Sequence, residues 1–295
     1  MKFQLLSTFL IILISSTTYP VWARDNADLE QDAREFYIGI GFSPDNRPLH
    51  REAGLSFGVI PAYEGSDDYS AIGSLLLNIN KPGAYFINGA SINPNEGLLS
   101  AGLTLVHFGY QSTDGDEFTI NLGPYLRAHP GRDEDDDDAL NGLGDIDASA
   151  GLGLFLGVEA GDWMVQLAAA PQEVDTLTDD GVLVSLDVRY RTFSNNKWTF
   201  DTGLAGSWGN DEYMQGYFGV NPTQSGTSGY AAYEAEAGVK DIGIYMQSSY
   251  AYSPNGLWHT QIGYWQLQGD AADSPIVEAG STGQLRALIG FAYQF

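Results

Sequence analysis

Leu285 to Phe295 alternates almost without interruption, and this period of two restricts the fold more than any other feature of the chain. Leu285, Ala287, Ile289, Phe291, Tyr293 and Phe295 share one face. Arg286, Gly290, Ala292 and Gln294 share the other, with Leu288 as the large apolar exception. Successive side chains of a strand point to opposite faces, so this is a strand with one greasy side and one small or polar side. The same dyad recurs in 118–128, 148–158, 182–191 and 198–208. In 182–191 the face opposite Val182, Val184, Leu186, Val188 and Tyr190 carries Asp187, Arg189 and Arg191. A dry sandwich core does not tolerate such charges, whereas a wet barrel lumen does. A soluble β-sandwich remains the competing fold on periodicity alone.

The amino-terminus bears on the choice. Met1-Lys2, the apolar run from Phe3 to Ile14 and Val21-Trp22-Ala23 read as a signal peptide cleaved after Ala23. The apolar run is shorter than the ~20 residues a spanning helix needs. No cysteine occurs, which excludes a lipoprotein, a disulfide framework, thiolate metal sites and a cysteine nucleophile. No later stretch is apolar enough for a transmembrane helix, so a membrane-embedded mature chain has to be a closed barrel. Ending on Tyr293-Gln-Phe295, the last segment looks like the terminal strand that barrel-assembly machinery reads (Tyr293 and Phe295 as the β-signal).

Trp198 and Trp208 lie on one face ten residues apart. At ~3.3 Å per residue and a tilt near 45° this is roughly 23 Å along a barrel axis, about the height of the lipid-facing band. They are the expected girdle residues. Further strands are expected at 36–42, 54–62, 69–79, 84–92, 97–109, 162–173, 230–240, 242–252 and 257–268. The prediction is an all-β transmembrane antiparallel barrel of about 12 strands (range 10–14) over residues 35–295, after the signal peptide (1–23) and a polar lead-in (24–34). Threading all the segments back from the C-terminus puts 269–283 outside and the acidic loop 130–145 in the periplasm. If 211–220 is also a strand, that loop moves to the cell surface.

The net charge is −25, and removal of Lys2 with the signal peptide makes it one unit more negative. Such a polyanion lacks the basic patches that nucleic acid requires. The acidic residues concentrate in Asp133 to Asp138, whose members Asp133, Asp135, Asp136, Asp137 and Asp138 suggest a solvated loop, a divalent-cation site or a partner contact. Arg127 and Arg132 flank the run and are candidates to pair with it. The run fails as an EF-hand, because Asp138 and Gly144 stand where that loop needs Gly and Glu.

Four segments carry a family resemblance: Pro61–Tyr69 (PAYEGSDDY); Gly131–Leu140 running into Gly142–Asp147; Asp211–Val220 with Ser228–Tyr233; and Gly269–Val277. With the terminal Tyr293-Gln-Phe295, they resemble the MipA/OmpV family of outer-membrane proteins from about residue 52 to 295. Where members often have a Gly-His-Asp-Gly-like turn, this chain has Thr178-Asp-Asp-Gly181. The resemblance implies a bacterial outer-membrane barrel in contact with lipid. It also implies a scaffold holding a murein lytic transglycosylase together with a bifunctional penicillin-binding protein. Other members are porin-like or adhesion-associated.

Catalysis and transport are the rival readings. Asp67-Asp68 with His129 would mimic the carboxylate and histidine pairs of barrel proteases, and His107 or His259 those of barrel acylhydrolases. Nothing local in the sequence brings such partners within reach, so no enzyme and no cofactor are expected. A solute channel would be lined by Arg127, Asp187, Arg189, Arg191, Asp201, Glu234, Glu236 and Arg286. A barrel of 12 strands is narrow enough for side chains to fill.

Overall fold

The computed structural model describes residues 35–40, 49–82, 84–89, 91, 94, 97, 99–111, 117–172, 174 and 181–295. The signal peptide, the lead-in and Thr178–Asp180 lie outside the described residues.

The strands are β1 (Glu35–Ile40), β2 (His50–Pro61), β3 (Tyr69–Lys81), β4 (Tyr85–Gly89), β5 (Leu99–Leu103), β6 (Val106–Gln111), β7 (Glu117–His129), β8 (Ser149–Ala160), β9 (Trp163–Gln172), β10 (Gly181–Ser194), β11 (Trp198–Gly209), β12 (Gly238–Ala251), β13 (Gly256–Leu267) and β14 (Gly283–Gln294). Every pairing is antiparallel. β14 pairs with β2 and β7 pairs with β8, which closes the sheet on itself. β5 and β6 are two halves of one stave, interrupted at Thr104-Leu105, so the closed barrel has 12 staves. Among the described residues β1 pairs with β6 alone, extending the wall beside it.

Lipid, not a second protein layer, covers the outer face. Leu152, Leu75, Leu154, Ile244 and Leu204 are 68%, 66%, 62%, 60% and 57% exposed, far more apolar surface than a water-soluble monomer leaves open. Trp198 and Trp208 both point outward, from the first and penultimate positions of β11. Trp198 lies 4.4 Å from Tyr250, Trp258 3.9 Å from Phe291 and Trp163 4.7 Å from Tyr190, giving an aromatic row around the C-terminal end of the wall. Tyr293 and Phe295 are exposed on the same outer face. Residues of opposite parity are buried: Asn121, Tyr125, Arg127, Asp187, Asp201 and Leu288 all face the lumen.

The threading of the loops needs correction. Residues 230–240 and 242–252 are not two strands, since 230–237 is loop and a single strand, β12, follows it. The segment 211–220 is not a strand either and contains the helix α1 (Asp211–Phe218). With 12 staves, the acidic loop 130–148 comes to the same mouth as 62–68, 210–237 and 268–282. The described connections at the C-terminal end, 161–162, 195–197 and 252–255, are short. Short turns are periplasmic and long loops extracellular in such barrels, so the four long loops face outside.

Candidate functional site: the capped outer mouth

The four segments that carried the family resemblance meet in one folded cap. α1 begins at Asn210, whose side chain accepts from the Tyr213 backbone N–H, and it buries Tyr213, Met214, Tyr217 and Phe218. Further helices α2 (Pro222–Ser228), α3 (Gly269–Ala272) and α4 (Pro275–Glu278) surround it. The buried side chains of α1 form one apolar cluster with Leu183 and Leu267 of the wall and with Ile146, Ala271 and Val277 of other loops. Sequence periodicity missed α1 because its apolar face is only two turns long.

Side chains tie the loops to one another. Tyr63 Oη donates to the Ile276 carbonyl (3.1 Å), Ser274 Oγ to the Phe218 carbonyl (2.6 Å) and Tyr230 Oη to the Ala139 carbonyl (3.0 Å). Ser66 Oγ donates to Asp137 Oδ2 (2.9 Å), and Thr227 Oγ1 to the Gly142 carbonyl (2.5 Å). Gly131 sits at φ +82°, and a Cβ there would come 2.0 Å from the Ile146 carbonyl. Glycine is therefore needed where Arg132 bridges to Ile146.

The acidic run has a use other than cation binding. Asp133 Oδ1 accepts from the Asp135 backbone N–H, Asp136 Oδ2 from that of Asp133, and Asp137 Oδ1 from that of Ala139. Glu134 Oε2 accepts from the backbone N–H groups of Gly142 and Gly144. Asp135 and Asp138 lie within the two short 3-10 turns that these caps start. The carboxylates thus build their own loop by capping it. Among the described residues, no three His, Cys, Asp or Glu side chains are placed to hold a metal. Arg127 and Arg132 do not pair with the run either. Arg127 donates to Gln172 and to the Pro94 carbonyl, and Arg132 donates to the Tyr217 carbonyl.

Beneath the cap, Lys240 is fully buried between Glu64 Oε1 (2.8 Å) and Asp241 Oδ2 (3.1 Å), with its ammonium 5.8 Å from the Tyr213 ring centre. Burial alone would raise the Glu64 carboxyl, but the Lys240 and Arg286 charges outweigh it and hold the group below its ordinary 4.5. Burial pushes the Tyr213 phenol well up and draws the Arg132 guanidinium down.

The lumen is crossed by further contacts. Tyr245 Oη donates to Asp187 Oδ2 (2.6 Å), Arg189 lies 3.4 Å from Asp187 and Arg191 3.1 Å from Asp201. Tyr125 and Phe155 pack with Phe86 farther round the wall. Glu234 and Glu236, expected in the lumen, are exposed in the 229–237 loop instead. Asp67 and Asp68 are exposed, whereas His129 accepts from the Gly131 N–H and contacts Tyr217. His107 meets Asn121 (2.6 Å). A contact that local sequence did not suggest joins Ser249 to His259 Nδ1 (2.8 Å), with His259 Nε2 3.2 Å from Glu52. Asn78 donates to the same carboxylate (3.1 Å). Ser249 lies in β12, which pairs with β11 on one side and β13 on the other. The cluster braces β2, β3, β12 and β13.

The model of the family described as MltA-interacting protein MipA matches residues 53–295, which takes in the whole of the closed wall but for the first residues of β2. The chain belongs to the MipA family. No curated protein matches it. Among solved structures, it is similar to outer-membrane expressed OmpT of Vibrio cholerae at 10% identity, covering 90% of this chain and 99% of that one (TM-score 0.35). It is also similar to the outer membrane channel DcaP of Acinetobacter baumannii at 9% identity, covering 89% and 97% (TM-score 0.36). The Ralstonia pickettii toluene transporter TbuX is 11% identical over 87% and 95% (TM-score 0.27). The family match and the lipid-facing closed barrel place this MipA-family protein in the bacterial outer membrane.

Proposed function

We propose that this protein is a non-enzymatic scaffold. It holds a murein lytic transglycosylase, and with it a penicillin-binding protein, at the inner surface of the outer membrane. The observation that carries the reading is the match, over nearly the whole barrel, to a family described by its interaction with MltA. The cap supports it, because a mouth filled by α1 and its apolar cluster suits a closed wall better than a conduit. Enzymes of murein approach from the periplasm, so their docking surface is the rim at the C-terminal end, with its short turns at 161–162, 195–197 and 252–255. The acidic loop, for which a partner contact was one reading of the sequence, faces away from murein.

The test immobilises the purified barrel in detergent and passes a purified transglycosylase and a bifunctional penicillin-binding protein over it. Retention of the transglycosylase, lost when Lys197 and Asp162 are replaced, is the expected result. Failure to retain either enzyme overturns the scaffold. Steady single-channel conductance that changes with Arg189→Gln or Asp201→Asn would instead make the barrel a channel.

A further inference from the structure

Three arginines in the outer half of the barrel stand without a direct ion pair. Arg127 and Arg132 are 4% and 8% exposed, and Arg286 stands over the Trp265 ring, 6.0 Å from its centre. Among the described residues, none of the three has a carboxylate within salt-bridge distance. Each also leaves its Nε–H buried without an acceptor. Burying an unpaired cation is costly, and buried charges are ordinarily paired. In a chain of net charge −25, carboxylates are abundant, so leaving these guanidiniums unpaired is not forced by composition.

Two of them, Arg132 and Arg286, border one cavity of about 320 Å³ beneath the cap. Its other walls include Ile72, Leu288, Tyr217 and Glu64. Glu64 is bonded to Lys240 through Oε1 and its charge also reaches Arg286, but Lys240, Arg127, Arg132 and Arg286 are four cations, against the two carboxylates, Glu64 and Asp241, that act on Arg286. The volume suits a small molecule, and pockets of this kind combine apolar walls with a few convergent polar groups. We propose that this cavity binds a small organic monoanion, a carboxylate with an apolar body. Its charged end is held by Arg132 and Arg286 and its body lies against Ile72, Leu288 and Tyr217. The apolar walls disfavour a bare inorganic ion, and the acidic cap above disfavours a multiply charged one.

The inference does not rest on the scaffold reading. Calorimetric titration of the folded barrel in detergent with benzoate, with neutral benzamide of the same shape, and with inorganic phosphate tests it. Saturable benzoate binding is expected, with benzamide at least about tenfold weaker. Arg132→Gln and Arg286→Gln should each weaken benzoate by roughly 10- to 100-fold, the worth of a hydrogen bond to a charged group. Arg51→Gln, an exposed arginine against Phe295 at the opposite end, should leave binding unchanged. Heat-modifiable gel migration identifies folded variants, and the benzoate and benzamide pair on the unaltered protein decides alone if they do not fold. Absence of saturable binding, equal binding of benzamide, phosphate as tight as benzoate, or equal loss in Arg51→Gln overturns the proposal.

Discussion

Leu204→Arg places a charge where the wall is most strongly committed to lipid. Leu204 points outward at 57% exposure, flanked in register by Val188 and Ile244. It lies six residues after Trp198 and four before Trp208. At ~3.3 Å per residue and a tilt near 45°, that is about 14 Å from one aromatic end and about 9 Å from the other. The site is therefore close to the middle of the hydrocarbon, where an arginine costs about 2–4 kcal/mol, falling to about 0–1 near the interface. Trp208→Arg is the matched control, on the same strand and the same face. Urea titration of the barrel folded into phospholipid vesicles measures both, with tryptophan emission reporting unfolding. The expected order is a loss of about 2–4 kcal/mol for Leu204→Arg and a clearly smaller loss for Trp208→Arg. Equal effects, a neutral Leu204→Arg, or a processed chain that is monomeric in water without detergent would refute the lipid-facing assignment.

Other expectations concern the cap. Lys240→Met strands the part-buried carboxylate of Glu64 and the buried one of Asp241 and should cost about 3–5 kcal/mol of cap stability, whereas the double variant with Glu64→Gln recovers part of it; limited proteolysis of the outer loops compares them. The folded-state pKa of Glu64 lies below its ordinary 4.5, so its contribution is complete at neutral pH. It fades as pH falls below about 4.5 through the depressed folded value, and hydrogen exchange in 62–68 should accelerate in that window and not between pH 6 and 8. Met214→Ala empties a fully buried position in the cap core and should lower cap stability by about 2–5 kcal/mol, seen as earlier cleavage of 210–237 while the barrel keeps its heat-modifiable migration.

Much of the wall was legible because the two solvents of a barrel alternate with the pleat. Trp198, Phe200, Leu204 and Trp208 repeat on one parity, Asp201 and Ala205 on the other, and a one-residue slip would exchange lipid for lumen. The acidic run was legible as a loop but not as a self-capping one, since its hydrogen bonds depend on backbone turns. Loop side was less secure. It depends on the parity of the strand count, and alternation running through 230–237 mimicked one strand too many.

From its own residues, then, the chain dictates an antiparallel wall and the inward or outward sense of nearly every strand side chain, because those follow from near neighbours and a period of two. Which mouth carries the acidic loop, and that four separated segments fold into one cap, were decided only in three dimensions. Lys240 meets Glu64 across 176 residues, and Arg127 meets Gln172 across 45. Closing the sheet brings such partners together, and no local pattern in the sequence encodes them.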